Sequence, residues 1–110
     1  MKYILSVDAE KDLHSILQYF SKKDIILVQR FIEDFENTCN MLLGMPDMAC
    51  KISDELIIES PFLADVRRWS MKKFKQYIIF YKKEGKNIFV IRVINGKRDI
   101  PNLFDEWNIE

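Results

Sequence analysis

The stretch that decides the fold is Tyr77-Ile78-Ile79-Phe80-Tyr81, followed by the turn Glu84-Gly85-Lys86-Asn87 and then by Ile88-Phe89-Val90-Ile91-Arg92-Val93-Ile94. Two runs of β-branched and aromatic residues that are joined by a short glycine-containing turn are typical of a β-hairpin. The second run is almost wholly apolar, which predicts a central strand covered on both faces. The sequence therefore predicts that this hairpin forms the middle of a sheet.

Two amphipathic helices are predicted upstream of the hairpin. Apolar residues recur at helical spacing over 9–22 and, more regularly, over 25–43. Asp8 and Asp24 are the expected N-caps, and Gly44 with Pro46 ends the second helix. Two consecutive helices of this kind predict a helical hairpin that covers one face of the sheet.

Further strands are predicted over 2–7 and over 66–71. In the latter, Val66, Arg68 and Ser70 fall on one face and Arg67, Trp69 and Met71 on the other. Residues 47–64 are ambiguous, and Leu56-Ile57-Ile58 fits either a short strand or a helical turn. The predicted order is β-α-α-β-β-β, an α+β fold with a mostly antiparallel sheet and a helical hairpin on one face.

Composition bounds the class of protein. Of 110 residues 48% are hydrophobic, and there are only three Gly and three Pro, which predicts a single folded domain over 1–110. Neither a signal peptide nor a membrane span is predicted, so a cytoplasmic protein is expected. Cys39 and Cys50 lack C-x-x-C spacing and are expected to be free thiols. With His14 as the single histidine, no metal site and no cofactor are expected.

The formal net charge of zero conceals a strong asymmetry. Residues 66–98 contain eleven basic residues and one acidic residue, a net charge of +10, and the rest of the chain carries −10. A stretch of this kind favours contact with an anionic partner. The alternative is that the strands simply solvate one face with Lys and Arg.

The C-terminal half resembles the toxins of the RelE/ParE superfamily and is most similar to the ParE branch. The resemblance rests on the Arg-containing segment Val66-Arg67-Arg68-Trp69, on the strand Tyr77-Ile78-Ile79-Phe80-Tyr81, and on Arg92-Val93 followed by Gly96-x-Arg98-Asp99-Ile100. The opening Asp8-Ala9-Glu10-x-Asp12-Leu13-x-x-Ile16 is similar to the first helix of that family. Asn95 stands where the family usually has His, and the linker over 45–51 lacks the Gly common there.

The resemblance implies the toxin of a type II toxin–antitoxin pair that a cognate antitoxin neutralises. Antitoxins of this family wrap their toxins through helix-in-groove contacts or added strands, and the basic stretch is expected to suit an acidic antitoxin segment. Two targets are known in the superfamily. ParE-like members inhibit DNA gyrase and cut nothing, whereas RelE-like members cut messenger RNA on the ribosome. A degenerate, non-toxic member is the third possibility.

Proton-transfer groups discriminate between the two targets. RNA cleavage without a metal needs a general base and a general acid beside the cations. His14 lies in the first helix, and Phe104 occupies the position where RelE-like nucleases often carry Tyr. Tyr77 and Tyr81 remain, and strand residues of this type are more often packing residues. The sequence therefore favours a gyrase inhibitor over a nuclease.

Several residues are candidates for target binding, but no catalytic residue is assigned. Arg92 lies inside an apolar strand and needs a carboxylate partner, for which Asp99 is the candidate. Trp69 fits either the core or an exposed contact. The target-binding candidates are Arg67, Arg68, Lys72, Lys73, Lys75, Arg98, Leu103, Phe104 and Trp107.

Overall fold

A computed structural model describes residues 2–51 and 65–96. Within them the elements follow in the order β1 (Tyr3–Leu5), α1 (Val7–Ser21), α2 (Ile25–Gly44), β2 (Cys50–Lys51), β3 (Arg67–Ser70), β4 (Tyr77–Glu84) and β5 (Asn87–Asn95). The strands form one sheet in the order β1-β5-β4-β3-β2. β1 pairs with β5 in parallel and the other neighbours are antiparallel, which confirms the α+β class and the mostly antiparallel sheet.

The predicted hairpin is confirmed and forms the centre of the sheet. β4 and β5 pair from Tyr77 opposite Asn95 to Glu84 opposite Asn87, with a bulge beside Phe80 and Tyr81. Gly85 adopts a φ of 61° in the turn, a conformation that L side chains rarely adopt. The strand β2 was not predicted, because two residues are too few to produce a periodic pattern. The ambiguous segment Leu56-Ile57-Ile58 lies outside the described residues.

Both helices are confirmed, but one predicted cap is wrong. Asp24 caps α2 as expected, since its Oδ1 accepts a hydrogen bond from Ile26 N at 3.0 Å. The cap of α1 is Ser6, whose Oγ accepts from Ala9 N at 2.9 Å, and Asp8 lies in the first turn instead. The reason is that Ser6 is held at the end of β1, where its N–H donates to Val90 O at 2.9 Å.

The main core lies between the helices and one face of the sheet. Buried apolar residues of α1 and α2 pack against alternate residues of β4 and β5, as the two-residue period of a strand requires. At one end of this core Phe20, Phe31, Phe74 and Tyr77 form an aromatic cluster with ring centroids 5.2 to 5.9 Å apart. Phe80 and Ile94, which point to the opposite face, are buried too, which confirms that the central strands are covered on both sides.

Past the residues that pair with β1, backbone groups at the edge of β5 form hydrogen bonds with side chains near the start of α1. Among the described residues, β1 pairs with Ile88 to Val90. Further along, Ile91 O accepts a hydrogen bond from Ser6 Oγ at 2.7 Å, and Val93 N donates to Asp12 Oδ2 at 3.0 Å. Asp12 thus replaces a neighbouring strand at this point of the edge.

Asp12 is also the carboxylate that pairs with Arg92. Arg92 Nε and Nη2 donate to the two carboxylate oxygens of Asp12 at 2.7 and 3.0 Å, with about a fifth or less of either side chain exposed. The expectation that this arginine has a carboxylate partner is therefore met by a residue of α1. Asp99, the partner expected from the sequence, lies outside the described residues.

Gly96 follows β5 at a position where the backbone of the preceding loop approaches closely. Its N–H donates to Gln76 O at 2.6 Å, and an added Cβ would lie 2.9 Å from Ile78 Cδ1 and 3.2 Å from Gln76 O. The Ile78 side chain can shift, but the carbonyl oxygen belongs to the backbone. This contact gives a physical reason for the glycine in the Gly96-x-Arg98 segment.

We expect the substitution Gly96→Ala to lower the free energy of unfolding by about 1–2 kcal/mol, because the new methyl group forces the two strand ends apart. Gly44→Ala is the matched control, because no heavy atom lies within 4 Å of a Cβ there. Urea denaturation of the two variants checks this. Equal stability of the two variants would contradict the proposed close approach.

In the described part of the chain, neither helix combines the length and the hydrophobicity that a membrane span requires. Likewise, the described part of the chain holds no cluster of His, Cys, Asp and Glu suited to a metal ion. Cys39 is buried, and burial together with the nearby Glu36 raises the pKa of its thiol to about 12. The Cys39 thiol is therefore protonated at neutral pH and a poor nucleophile.

Candidate functional site

A groove of about 680 Å³ opens beside the end of β3, and we refer to it as the β3 groove. The apolar part of its lining consists of Met41 of α2, Trp69 of β3, Met71 directly after β3 and Ile78 of β4. The polar part of the lining consists of Arg68, Ser70, Lys72 and Lys75, all of which are exposed. Large apolar side chains beside exposed cationic ones are suited to a partner that is both apolar and acidic.

The alternation of side chains along β3 creates this mixed lining. Trp69 lies opposite Ile79 on the face that the helices cover, where it packs against the core and next to Met41. Arg68 and Ser70 lie on the other face, opposite Phe80 and Ile78. The predicted assignment of the two faces of this strand is thus confirmed. Trp69 meets both expectations, since it is half-buried in the core and also lines the groove.

The loop that carries the lysines is anchored by a buried carboxylate that the sequence analysis missed. Asp34 of α2 is only 3% exposed, and its Oδ2 accepts hydrogen bonds from Lys73 N and Phe74 N, both at 3.0 Å. The Phe74 ring inserts into the aromatic cluster, and Phe74 O accepts from Tyr77 N at 2.9 Å. The loop between β3 and β4 is therefore held at its centre, which fixes the backbone that carries Lys72 and Lys75 at the groove.

A signal for Asp34 was present in the sequence. It lies within the apolar stripe of α2, next to Phe35 and one turn from Phe31 and Thr38, all of which are buried. A carboxylate on the core-facing side of a helix needs hydrogen-bond donors. The helical period could therefore have indicated that Asp34 has hydrogen-bond donors, although not which ones.

The predicted cationic residues do not all lie together. Arg68, Lys72 and Lys75 meet at the β3 groove. Lys73 has an exposed side chain outside the described lining, and its backbone is bound by Asp34. The remaining candidates Arg98, Leu103, Phe104 and Trp107 lie outside the described residues.

Arg67 is placed apart from the groove and binds the segment before β2. Its Nη1 donates to Ala49 O at 2.7 Å and to Asp47 O at 3.3 Å, and its Nη2 lies 3.6 Å from the Asp47 carboxylate. Lys83 is also 3.6 Å from that carboxylate. These contacts give Arg67 a structural role, which is the positioning of the chain that leads from α2 into the edge strand.

The tyrosines that the sequence left open as proton-transfer groups are both buried. The Tyr81 hydroxyl donates to Pro46 O at 2.7 Å, and burial raises its pKa to about 12. Tyr77 is 5% exposed and lies in the aromatic cluster. His14 is exposed on α1 and does not line the β3 groove. None of the described residues that line the groove is a histidine, a carboxylic acid or a tyrosine.

A second, more polar cavity of about 560 Å³ lies between α1 and the adjacent ends of β4 and β5. Its lining includes the Asp12–Arg92 pair, Gln76 and Asn95. Asn95, which replaces the histidine usual in the RelE/ParE superfamily, therefore faces a polar cavity and not the β3 groove. The described linings of the two sites share no residue.

Most of the chain is similar to one known protein family. Residues 3–100 match the family described as ParE toxin of type II toxin-antitoxin system, parDE. The chain belongs to this family. The match includes the β3 groove, the loop that Asp34 anchors and the whole Gly96-x-Arg98 segment.

A solved structure supports the same fold. A chain from the chromosomal ParDE toxin–antitoxin system of P. aeruginosa is similar over 86% of this chain and 95% of its own length, with a TM-score of 0.66 and 16% identity. At this identity the similarity is evidence for the fold alone. No curated protein sequence matches the chain. Membership of the ParE toxin family implies an antitoxin as partner.

Proposed function

We propose that the chain is the toxin of a type II toxin–antitoxin pair, that it stops bacterial growth by binding DNA gyrase in the cytoplasm, and that a cognate antitoxin neutralises it. The family assignment supports the toxin and its antitoxin. Gyrase as the target rests on the chemistry of the candidate site. In this proposal the toxin is an inhibitor that binds its target and cuts nothing.

The observation that carries the choice of target is the lining of the β3 groove. Arg68, Lys72 and Lys75 supply positive charge around an apolar floor, and no described lining residue is a histidine, a carboxylic acid or a tyrosine. Metal-independent cleavage of RNA needs a general base and a general acid within hydrogen-bond reach of the reacting atoms, and histidine and carboxylic acids are common in these roles. A cationic and apolar groove without them is suited to binding a protein or a protein–DNA complex.

The proposed binding residues are therefore Arg68, Lys72 and Lys75 among the described ones, together with Arg98, Leu103, Phe104 and Trp107. A ribosome-dependent mRNA endonuclease would use the same cations against RNA phosphates. The two targets leave different damage in the cell, so they are separable by experiment. A degenerate family member would leave none.

The test is induction of the chain alone in a bacterial host, with DNA breaks and protein synthesis followed in parallel. Gyrase inhibition predicts growth arrest with double-strand breaks and an SOS response while translation continues. Growth arrest with cleaved messages and halted translation would overturn the proposal in favour of the endonuclease. Normal growth at the same protein level would indicate a non-toxic member.

The substitution Tyr81→Phe tests whether the Tyr81 hydroxyl has a structural or a catalytic role. We expect the free energy of unfolding to fall by about 1 kcal/mol, because the hydrogen bond to Pro46 O is lost. Growth arrest at matched expression should persist, because the buried hydroxyl takes no part in toxicity. Chemical denaturation and a growth curve measure the two effects. Loss of toxicity in a folded Tyr81→Phe protein would contradict this account and would favour the nuclease.

A further inference from the structure

The described sheet ends at β1, and the outer edge of this strand is open. Ser6 N donates to Val90 O at 2.9 Å, so Ser6 and every second residue before it have their backbone groups turned towards β5. The N–H and C=O groups of Tyr3 and Leu5 are therefore turned away from β5. Among the described residues, no group forms a hydrogen bond with them.

Apolar side chains surround this open edge on both faces of the sheet. On the helix-covered face, Tyr3 and Leu5 line a mostly apolar groove of about 210 Å³ together with side chains of α1 and α2, among them the exposed Ile32. On the other face Ile4 is exposed. β1 contains no charged residue, proline or bulge of the kind that commonly protects a sheet edge. The edge is therefore a template for another apolar strand.

The sequence Tyr3-Ile4-Leu5 is complementary to its own edge. If a two-fold axis passes beside Ile4, the β1 strands of two copies run antiparallel, and Tyr3 of each copy lies opposite Leu5 of the other. Each Tyr3–Leu5 pair then exchanges both of its backbone hydrogen bonds, because all of these groups are turned outwards. Ile4 lies opposite Ile4, in an isologous contact of the kind that closes a homodimer.

The charged residues at the two ends of β1 match in the same arrangement. Lys2 precedes the strand and Asp8 follows it, and both are at least partly exposed. The antiparallel register places Lys2 of one copy opposite Ser6 of the other, next to the first turn of α1 that carries Asp8. Opposite charges therefore approach each other at both ends of the contact, whereas parallel strands would bring like charges together.

We propose that β1 is a self-association site, at which two copies of the toxin join their sheets edge to edge through antiparallel β1 strands. The contact is small, since each copy contributes a strand of three residues. A weak and reversible dimer is therefore expected, in contrast to the permanent dimers that bury much larger surfaces. The inference depends neither on gyrase nor on the antitoxin.

The substitutions Ile4→Lys and Ile4→Glu test the position of the two-fold axis. Like charges directly opposite each other should weaken self-association at least ~10-fold in either variant alone. An equimolar mixture of the two variants should form the mixed dimer with an affinity close to that of the unchanged toxin. Analytical ultracentrifugation of the purified chain from micromolar to submillimolar concentration measures these affinities, and circular dichroism checks that the variants fold.

The matched control changes a second exposed isoleucine in the same two ways. Ile26 lies at the start of α2, outside β1 and outside the described lining of the groove beside it. Ile26→Lys and Ile26→Glu should self-associate like the unchanged toxin, and mixing them should have no effect. If the Ile26 and Ile4 variants weakened self-association equally, a general effect of charge would account for the result and the inference would fail.

Amide hydrogen exchange locates the contact in the unchanged toxin. The Tyr3 and Leu5 amides should exchange rapidly at low protein concentration and become protected as the concentration rises, because they acquire acceptors from the second copy. The Ile4 amide, which faces β5, should be protected under both conditions. A rise in protection confined to Tyr3 and Leu5 therefore identifies pairing at the outer edge of β1.

A toxin that stays monomeric throughout this concentration range would overturn the inference, and so would Ile4 variants of opposite charge that fail to associate with each other. Protection of Tyr3 and Leu5 by the antitoxin alone, without dependence on toxin concentration, would overturn it too, because the edge would then bind the antitoxin and not a second copy. A dimer that leaves gyrase active would contradict the proposed function and not this inference.

Discussion

Replacement of Asp34 by alanine should lower the free energy of unfolding by about 3 kcal/mol, because two backbone amides lose a buried, charged acceptor. Lys73 N and Phe74 N both donate to Asp34 Oδ2 at 3.0 Å, and the carboxylate is 3% exposed. The Phe74 ring is packed on Phe31 and Phe20, so a shift of this loop also disturbs the aromatic cluster. Urea denaturation, with amide exchange at Lys73 and Phe74, measures the effect.

Two controls separate this role from a general effect on α2. Glu33→Ala changes an exposed neighbour on the same helix and should shift stability by less than about 0.5 kcal/mol. Asp34→Asn keeps one side-chain oxygen as acceptor and should have an intermediate effect. If Asp34→Ala were as mild as Glu33→Ala, the carboxylate would not be the anchor of the loop.

Replacement of Asp12 by alanine should destabilise the protein by about 2–3 kcal/mol. The change removes both contacts to Arg92 and the acceptor of the Val93 N–H, which together close the edge of β5. A double-mutant cycle with Arg92→Leu measures the coupling between the two side chains. We expect a coupling energy of about 1–2 kcal/mol, because the pair is bidentate and mostly buried.

Lys11→Ala provides the comparison for Asp12, because it alters the adjacent, exposed residue of α1. Its effect should be within about 0.5 kcal/mol. Additive effects of Asp12→Ala and Arg92→Leu would show that the two side chains do not stabilise each other. The contact between α1 and the end of β5 would then need a different explanation.

The parts of the fold that could be predicted from sequence are those that depend on short-range patterns. The helical period predicted α1 and α2, and the alternation in β3 predicted that Arg68 and Trp69 lie on opposite faces. The glycine-containing turn between two apolar runs predicted the central hairpin. In each case the residues that carry the signal are the residues that form the element.

Contacts between residues that are distant in the chain could not be predicted in the same way. Asp12 is 80 residues from Arg92, and Asp34 is 40 residues from Phe74. A carboxylate near the predicted strand, Asp99, was the expected partner of Arg92, but the helix that packs across the end of β5 brings Asp12 there. Local periodicity contains no information on that packing.

The sequence predicted the positive charge of the candidate site but not which basic residues line it. The excess of basic residues over 66–98 indicated a cationic surface. The alternation along β3 placed Arg67 and Arg68 on opposite faces, but it could not show that Arg67 binds Ala49 and Asp47 whereas Arg68 lines the β3 groove. Their difference arises from the two faces of β3 and from the segment that precedes β2.

We propose that this ParE-family chain acts on gyrase as an inhibitor that cuts no nucleic acid. The most direct measurement adds the purified protein to purified DNA gyrase with relaxed plasmid, and in parallel to a translating ribosome extract with a defined message. We expect loss of supercoiling with accumulated gyrase–DNA cleavage products, reversal by the antitoxin, and an intact message. Undisturbed supercoiling together with a message cut on the ribosome would contradict it.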